Sequence, residues 1–427
     1  MASNISLTRD DYTVGWICAL PLEMAAASVM LDEIHDDLPM QPNDHNAYVF
    51  GRIGKHNVVV ACLPSGIYGI TSAAIVATHL SSSFRSIRFS LMVGIGGGVP
   101  NKDVDIRLGD IVVSEPGGIY GGVVHYDHGR ALAGGEFERR GMLNCPPRCL
   151  LTALSKLKCY HLRGESQVPA FLAEIMQKLS SKKATKFTRP LQEDRLFLSD
   201  YYHTDNLTKS CDACDTTQVV PRPPRGDNDP VIHYGLIASG SQLLTDSQLR
   251  DKLGREMDVR CVEMEAAGLM NAYKFLVIRG ICDYADSHKN DVWQGYAAVT
   301  AAAYAKELLL TVSVEERTKA TAMTNNPSPP LVIQDIGYRS LDWSNDGHFG
   351  SMTSSESDYG EQQWANVIRA RKWNEECYNC GRRSHYEKNC RIDCGRCGDG
   401  DHIQRECPNA VICYKCGGQN HMARDCV

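Results

Sequence analysis

No apolar run in this 427-residue chain is long enough to cross a bilayer. The opening segment, Met1 to Tyr12, is polar and lacks the apolar core of an export signal. The expectation is a cytoplasmic or nuclear protein, neither secreted nor held at a membrane. An excess of positive charge is also missing. The formal net charge of −6 argues against a molecule that coats nucleic acid with its whole surface, and leaves room for a local basic module. No phosphate-cradling P-loop and no Ser-His-Asp arrangement can be read from the chain. The nearest approach to a dinucleotide fingerprint, Gly94-Ile95-Gly96-Gly97-Gly98, puts Val99 where G-x-G-x-x-G requires glycine, and Pro100 disturbs the helix entry. No organic cofactor is expected.

Cysteine, by contrast, is plentiful. Of 18 cysteines, nine fall in the last fifty-one residues, at one spacing used three times: Cys377-Cys380-His385-Cys390, Cys394-Cys397-His402-Cys407 and Cys413-Cys416-His421-Cys426. Three thiolates and one imidazole per set are the complement of a closed tetrahedral zinc site. The Cys-x-x-Cys step grips the ion from a tight turn, and the later His and Cys close it. A disulfide framework would give His no reason to recur. About three structural zinc ions are expected.

These repeats resemble the CCHC zinc knuckle of retroviral nucleocapsid and many RNA-binding proteins. The resemblance implies stacking of unpaired bases on an aromatic after the first Cys and a large apolar group after the His. Tyr378 with Tyr386, and Tyr414 with Met422, keep that arrangement, whereas the second unit has Gly395 and Ile403. Basic residues such as Arg382, Arg383, Lys388 and Arg396 are interleaved with Glu387, Asp393, Asp399 and Asp401, so phosphate neutralisation is expected to be modest and salt-sensitive. Single-stranded RNA or DNA is the favoured ligand; an array that binds protein is the alternative.

Composition divides the chain. Residues 10–314 alternate strand-like apolar runs with helical patterns, the signature of an α/β domain. Residues 315–370 turn to Ser, Thr, Asn, Asp, Pro and Gly, as in Asn325-Asn326-Pro327-Ser328-Pro329-Pro330, and read as a disordered linker. The knuckles occupy 371–427, at 377–390, 394–407 and 413–426.

Within the large domain several apolar runs end in Gly or small polar residues. Val58-Val59-Val60 precedes Ser65-Gly66-Ile67-Tyr68-Gly69, Phe89 to Val93 precedes Gly94–Gly98, and Phe275 to Ile278 precedes Gly280-Ile281-Cys282-Asp283. Ligands of open α/β sheets sit beyond such strand ends. Cys261-Val262-Glu263-Met264-Glu265 places two carboxylates at a strand-to-helix junction, where one can accept both hydroxyls of a ribose. Asp283 ends another strand amid apolar neighbours, where burial is expected to raise its pKa and keep a proton available. Plain capping of a helix or turn is the competing role for each.

Three longer motifs carry a second resemblance. They are His233-Tyr234-Gly235-Leu236-Ile237-Ala238-Ser239-Gly240, Val262-Glu263-Met264-Glu265-Ala266-Ala267-Gly268, and Ile278-Arg279-Gly280-Ile281-Cys282-Asp283-Tyr284-Ala285-Asp286-Ser287-His288-Lys289-Asn290. From about Tyr12 to Thr311 the chain resembles the purine nucleoside phosphorylase and methylthioadenosine/S-adenosylhomocysteine nucleosidase superfamily, its fungal branch above all. The resemblance implies a three-layer α/β fold around a mixed, partly closed sheet, a purine nucleoside or nucleotide substrate, and a homo-oligomer. It implies that Glu265 holds the 2′- and 3′-hydroxyls, beside Glu263 and with Met264 under the sugar. Asp283 would hydrogen-bond or protonate purine N7, and Glu23 would orient and deprotonate the attacking water. Ser65 and Gly66 would line the sugar side, and the Gly94–Gly98 loop, with Gly97, would let backbone approach it.

The positions that hold phosphate in bacterial phosphorylases correspond here to Glu23, Met92 and Ile95. A carboxylate repels phosphate and two apolar side chains cannot hydrogen-bond it, so hydrolysis is favoured over phosphorolysis. Leu243 stands where nucleosidases stack a Phe on adenine. The stretch 130–229 is longer than in compact nucleosidases, with helical pieces over Pro147–Leu157 and Val168–Leu179. Some relatives hydrolyse ATP. His125, His128, Arg130, Arg222, Arg225, His288 and Lys289 are candidate polyphosphate contacts, although most read as ordinary surface charges. Cys211-x-x-Cys214 has no second pair at metal spacing and reads as two reduced thiols, with only His203 and His233 near enough to help. Three functions follow: an N-glycosidic hydrolase, a phosphate-dependent phosphorylase of the same fold, or a non-catalytic zinc-knuckle protein whose large domain senses a nucleotide.

Overall fold

The structure, a computed structural model, describes residues 7–135, 137–179, 185–203 and 210–314. All lie in the first of two compact units, Met1–Met323. The second unit, Thr324–Val427, falls outside the described residues, as do the linker expected over 315–370 and the three zinc knuckles.

Along the chain run β1 (Val14–Cys18), α1 (Pro21–Met30), β2 (Glu33–Ile34), β3 (Tyr48–Ile53), β4 (His56–Cys62), α2 (Ile70–Ser83) and β5 (Phe89–Gly98). Next come β6 (Ile111–Ser114), β7 (Val123–His125), β8 (Gly129–Ala131), β9 (Phe137–Arg139), α3 (Arg148–Leu162) and α4 (Val168–Lys178). The last elements are β10 (Ile232–Ser239), α5 (Ser247–Met257), β11 (Val259–Glu263), β12 (Phe275–Asp283) and α6 (Gln294–Thr311). None of the described helices is long and apolar enough to cross a membrane.

Strand periodicity builds a core on each face of the sheet. In β1 and β4, Val14, Trp16, Cys18, Val58 and Val60 enter one apolar cluster, while Ile17, Val59 and Ala61 enter another. Alternate side chains point to opposite faces, so a strand apolar at every position must be covered on both sides. Residues of α1, α3, α4 and α6 belong to the first cluster, and residues of α2 to the second. The result is the expected three-layer α/β arrangement.

The sheet is mixed and runs β11-β10-β6-β12-β5-β1-β4-β3-β2, with β7 added beside β10. β5 lies parallel to β1 and β12, whereas β12 and β6 are antiparallel. At its far end β5 also pairs antiparallel with β11, Gly97 opposite Val262 and Gly98 opposite Cys261. That pairing closes β5, β12, β6, β10 and β11 into a small barrel and brings the ends of β5, β11 and β12 together. It also corrects one expectation: Gly94–Gly98 is not a loop but the continuation of β5.

The helices over 148–162 and 168–178 agree with the sequence pattern, but the first continues past Leu157. Its last turn carries His161, whose Nε2 lies 3.1 Å from the buried Glu307 carboxylate of α6. α6 is buried almost all round. Its alanines let it sit tightly on the sheet, and a β-carbon on Gly280 of β12 would run into the Ala297 carbonyl. Gly280→Ala should therefore cost about 1–3 kcal/mol, the usual penalty of overpacking. Chemical denaturation of the full chain measures this; an unchanged midpoint would mean that helix and strand are not in that contact.

Candidate active site

The ends of β5, β11 and β12 open on a cavity of about 660 Å³, within the usual range for small-molecule sites. Its wall includes Glu23, Tyr68, Gly97, Leu243, Glu263, Met264, Glu265, Arg279, Asp283 and Lys289.

Glu23 stands in the first turn of α1, where Pro21 supplies a pre-set φ and no backbone donor. Its carboxylate reaches back over the helix start. Oε2 accepts from the N–H groups of Ala19 and Leu20 at 2.6 and 2.9 Å, and Oε1 from that of Ile95 at 2.8 Å. Burial pushes its pKa up, and the Arg279 charge and these three donors offset only part of that. The group caps the helix and faces the cavity at once, so the capping role and a chemical one do not compete.

Arg279, in the middle of β12 and only 1% exposed, is the charge that gathers the other carboxylates. Its guanidinium bonds Glu263, reaches Glu265 Oε2 at 3.3 Å, and donates to the Ile95 carbonyl at 3.1 Å. Register makes this possible: Arg279 lies opposite Gly94, and a β-carbon there would collide with the Glu23 carboxylate and the guanidinium. Glu263 is fully engaged, since it also accepts the N–H groups of Glu265 and Ala266. Glu265 accepts from Gly69 N–H at 3.3 Å and keeps acceptor capacity toward the cavity. Burial raises its pKa to about 7, with Arg279 pulling the other way.

Asp283, at the end of β12, departs from the sequence-based expectation. It is buried, and burial alone would raise its pKa, but the Lys289 ammonium pairs with Oδ2, and the Cys282 thiol and Ala285 N–H add donors. Their sum holds the carboxyl below its ordinary value. The proton expected on Asp283 is instead on the neighbouring ammonium, whose pKa the pair raises despite desolvation. Ala285, at φ 49°, turns the chain so that its N–H meets Asp283. Few residues with a β-carbon adopt that left-handed conformation.

Of the residues singled out in the sequence, Glu23, Gly97, Glu263, Met264, Glu265 and Asp283 meet at this cavity. Ser65 and Gly66 do not line it. They are exposed on the loop before α2, Ser65 beside a neighbouring cavity of about 510 Å³, and Tyr68 is the loop residue that reaches the main wall. Leu243 does line it and is 58% exposed. Among the candidate polyphosphate contacts, Arg222 is tied to Asp194 and Arg225 to Asp110, both only partly exposed. Only Lys289 of that set is in the main wall; His125 and His128 stack beside a separate cavity of about 280 Å³. Sequence reading passed over Arg279, although an arginine inside an apolar strand was the available signal. Arg279→Met would leave buried carboxylates without their cation, and a loss of about 3–5 kcal/mol is expected. Denaturation measures it, and full stability would mean that these carboxylates take up protons instead of pairing.

Comparison with known proteins matches the model of the phosphorylase superfamily over residues 13–312, and the zinc knuckle model over residues 411–426. The chain is 46% identical over 310 residues to a nucleotide-binding leucine-rich repeat (NLR)-like protein of Hyaloscypha variabilis, covering 72% of this chain and 30% of that one. It is 26% identical over 296 residues to the ATP nucleosidase Cap17 of Escherichia coli, covering 67% of this chain and 48% of the relative. Over 303 residues it is 25% identical to the 5′-methylthioadenosine/S-adenosylhomocysteine nucleosidase of Mycobacterium bovis, covering 70% and 95%. The chain thus spans about a third and about half of the first two relatives. With 300 of its residues inside one family model and a knuckle at its C-terminal end, this chain belongs to the phosphorylase superfamily and carries a CCHC zinc knuckle.

Proposed function

We propose that the large domain is a hydrolytic N-glycosidase that releases the base of a purine nucleoside or nucleotide. The charge of the cavity carries this reading. Among the described residues of its wall the cations are Arg279 and Lys289, each already held by carboxylates, against Glu23, Glu263, Glu265, Asp283 and Asp291. A phosphate dianion would have to break one of these pairs, whereas water would not. The nucleosidase names of two relatives agree with this choice.

Glu265 accepts the 2′- and 3′-hydroxyls, with Met264 beneath the sugar and Gly97 admitting close approach. Glu263, whose oxygens are occupied, positions Arg279 and the Glu265 turn instead of touching the substrate. As the C1′–N9 bond breaks, its electron pair passes to the base, and N7 takes a proton relayed from Lys289 through Asp283. Glu23 removes a proton from the water whose oxygen bonds to C1′, and the two proton transfers then reverse through solvent. The raised pKa of Glu23 suits a base and the paired Asp283 suits a relay.

The C-terminal knuckle supports a second element of the proposal: a module that brings the domain to single-stranded nucleic acid through stacked bases.

The test is base release by the full chain in phosphate-free buffer, with ATP, AMP, adenosine, methylthioadenosine and guanosine as substrates. Free base without phosphate is expected. Release only on adding phosphate would make the domain a phosphorylase, and silence with every substrate would make it a binding domain. Glu23→Gln should abolish turnover while sparing ligand binding, and Asp283→Asn or Lys289→Met should each lower the rate by about 10²–10⁴-fold. Because Glu265 titrates near 7 and must be ionised to accept two hydroxyls, kcat/KM should fall as pH drops through 7 and level off above it. A profile that rises on acidification would remove Glu265 and Glu23 as ionised participants.

A further inference from the structure

Behind the wall that carries Asp283 and Lys289, four side chains from two distant segments converge. The potential ligand atoms of His203, Cys211 and Cys214 all lie within 4.8 Å of one another. His288, from the segment after β12, brings its Nδ1 to 3.7 Å from both the Cys211 and Cys214 sulfurs. Around a tetrahedral zinc with Zn–S about 2.3 Å and Zn–N about 2.05 Å, sulfur and nitrogen stand about 3.6 Å apart. The two His288-to-sulfur separations are those of ligands sharing an ion, and His203 stands within 4.8 Å of both sulfurs. The two separations are loose for thiol-to-imidazole hydrogen bonds, and the other acceptor near the Cys211 thiol, the His288 carbonyl, is equally distant at 3.7 Å.

The surroundings have the form of a ligand set. His288 Nε2 lies 3.1 Å from the Tyr201 carbonyl, so its proton is spent there and Nδ1 presents a lone pair to the sulfurs. His203 Nε2 lies 3.1 Å from the Ser210 carbonyl, which leaves Nδ1 as the ring nitrogen free to ligate. The His288 ring packs against both Phe197 and Tyr201, with centroids at 3.9 and 5.3 Å, and the two imidazoles meet edge to face at 5.4 Å. The Cys214 N–H donates to the Cys211 carbonyl, which makes the tight turn of a Cys-x-x-Cys grip, and neither thiol is in a disulfide. Two thiolates neutralise a divalent ion, so a closed site here buries no net charge.

We propose that His203, Cys211, Cys214 and His288 form a structural zinc site in the large domain, separate from the C-terminal knuckles. In the sequence this Cys pair reads as two reduced thiols, with His203 and His233 as the only helpers. His233 is in fact bound to Asp110 at 2.9 Å, and the fourth ligand comes from 74 residues beyond Cys214. The site staples His203 and the Cys211–Cys214 turn to the segment that lines the cavity: His203 N–H also donates to Ser287 Oγ at 2.9 Å, and Ser287 and Lys289 are both in the cavity wall. Its role is to hold Lys289 and Asp283 in place, not to do chemistry on a substrate.

The test is zinc content per chain by elemental mass spectrometry on the full-length protein, beside the Cys211→Ser/Cys214→Ser double variant. The knuckles are intact in both, so the variant should hold one zinc ion fewer. Equal zinc in the two proteins would overturn the proposal, and misfolding of the variant cannot mimic the loss unless the wild type held the ion. A second readout is cobalt loading: wild type minus variant should show thiolate-to-cobalt charge-transfer bands for one further ion, and a featureless difference would overturn the assignment. Neither result depends on whether the domain releases a base.

Discussion

A single guanidinium, buried at the centre of β12, organises the end of the sheet on which the cavity opens. Arg279 is held by Glu263 and Glu265 and feels Glu23 as well, so it bears on the charge of all three glutamates of the cavity. Ions this far from solvent are expensive unless each is paired and hydrogen-bonded. The cost is met by strand register: Gly94 opposite Arg279 leaves room for the guanidinium and for Glu23 on the bare backbone of β5. Closure of β11 onto β5 then delivers Glu263 and Glu265 to the same place. A helix start, two strand ends and a run of glycines thus act as one electrostatic unit.

The cavity separates its carboxylates by environment. Glu23 and Glu265 are pushed up by burial, the latter to about 7, while Asp283, just as buried, is held down by Lys289. Pairs of acids whose pKa values diverge within one cavity are the physical basis on which base and acid roles can be told apart. Here the division falls along the structure: Glu23 belongs to the first helix and its backbone donors, Asp283 to the last strand and the lysine six residues on.

The C-terminal repeats and the site proposed behind Asp283 differ in how the chain brings metal-ligating residue types together. In each repeat the four ligands lie within fourteen residues, and spacing alone announces the chemistry. In the large domain a Cys-x-x-Cys turn is completed only by residues brought in through tertiary folding, so the same chemistry leaves almost no local trace. His288 was visible in the sequence, but nothing in its neighbours linked it to Cys211.

What the sequence determined by itself was local and periodic. Apolar strand-like runs alternating with helical patterns gave the α/β class, the motifs from His233 to Gly240, Val262 to Gly268 and Ile278 to Asn290 gave the family, and Glu23, Glu265 and Asp283 were legible as cavity carboxylates. Tertiary structure decided what depends on neighbours distant in the chain. It made Gly94–Gly98 part of a strand, because pairing with β12 and β11 satisfies its backbone where an isolated glycine run would turn. It put Ser65 outside the wall and Tyr68 in it, since loop direction is set by packing. It moved the proton from Asp283 to Lys289, because a pKa is fixed by the sum of burial and every nearby charge, and that sum exists only once the chain has folded.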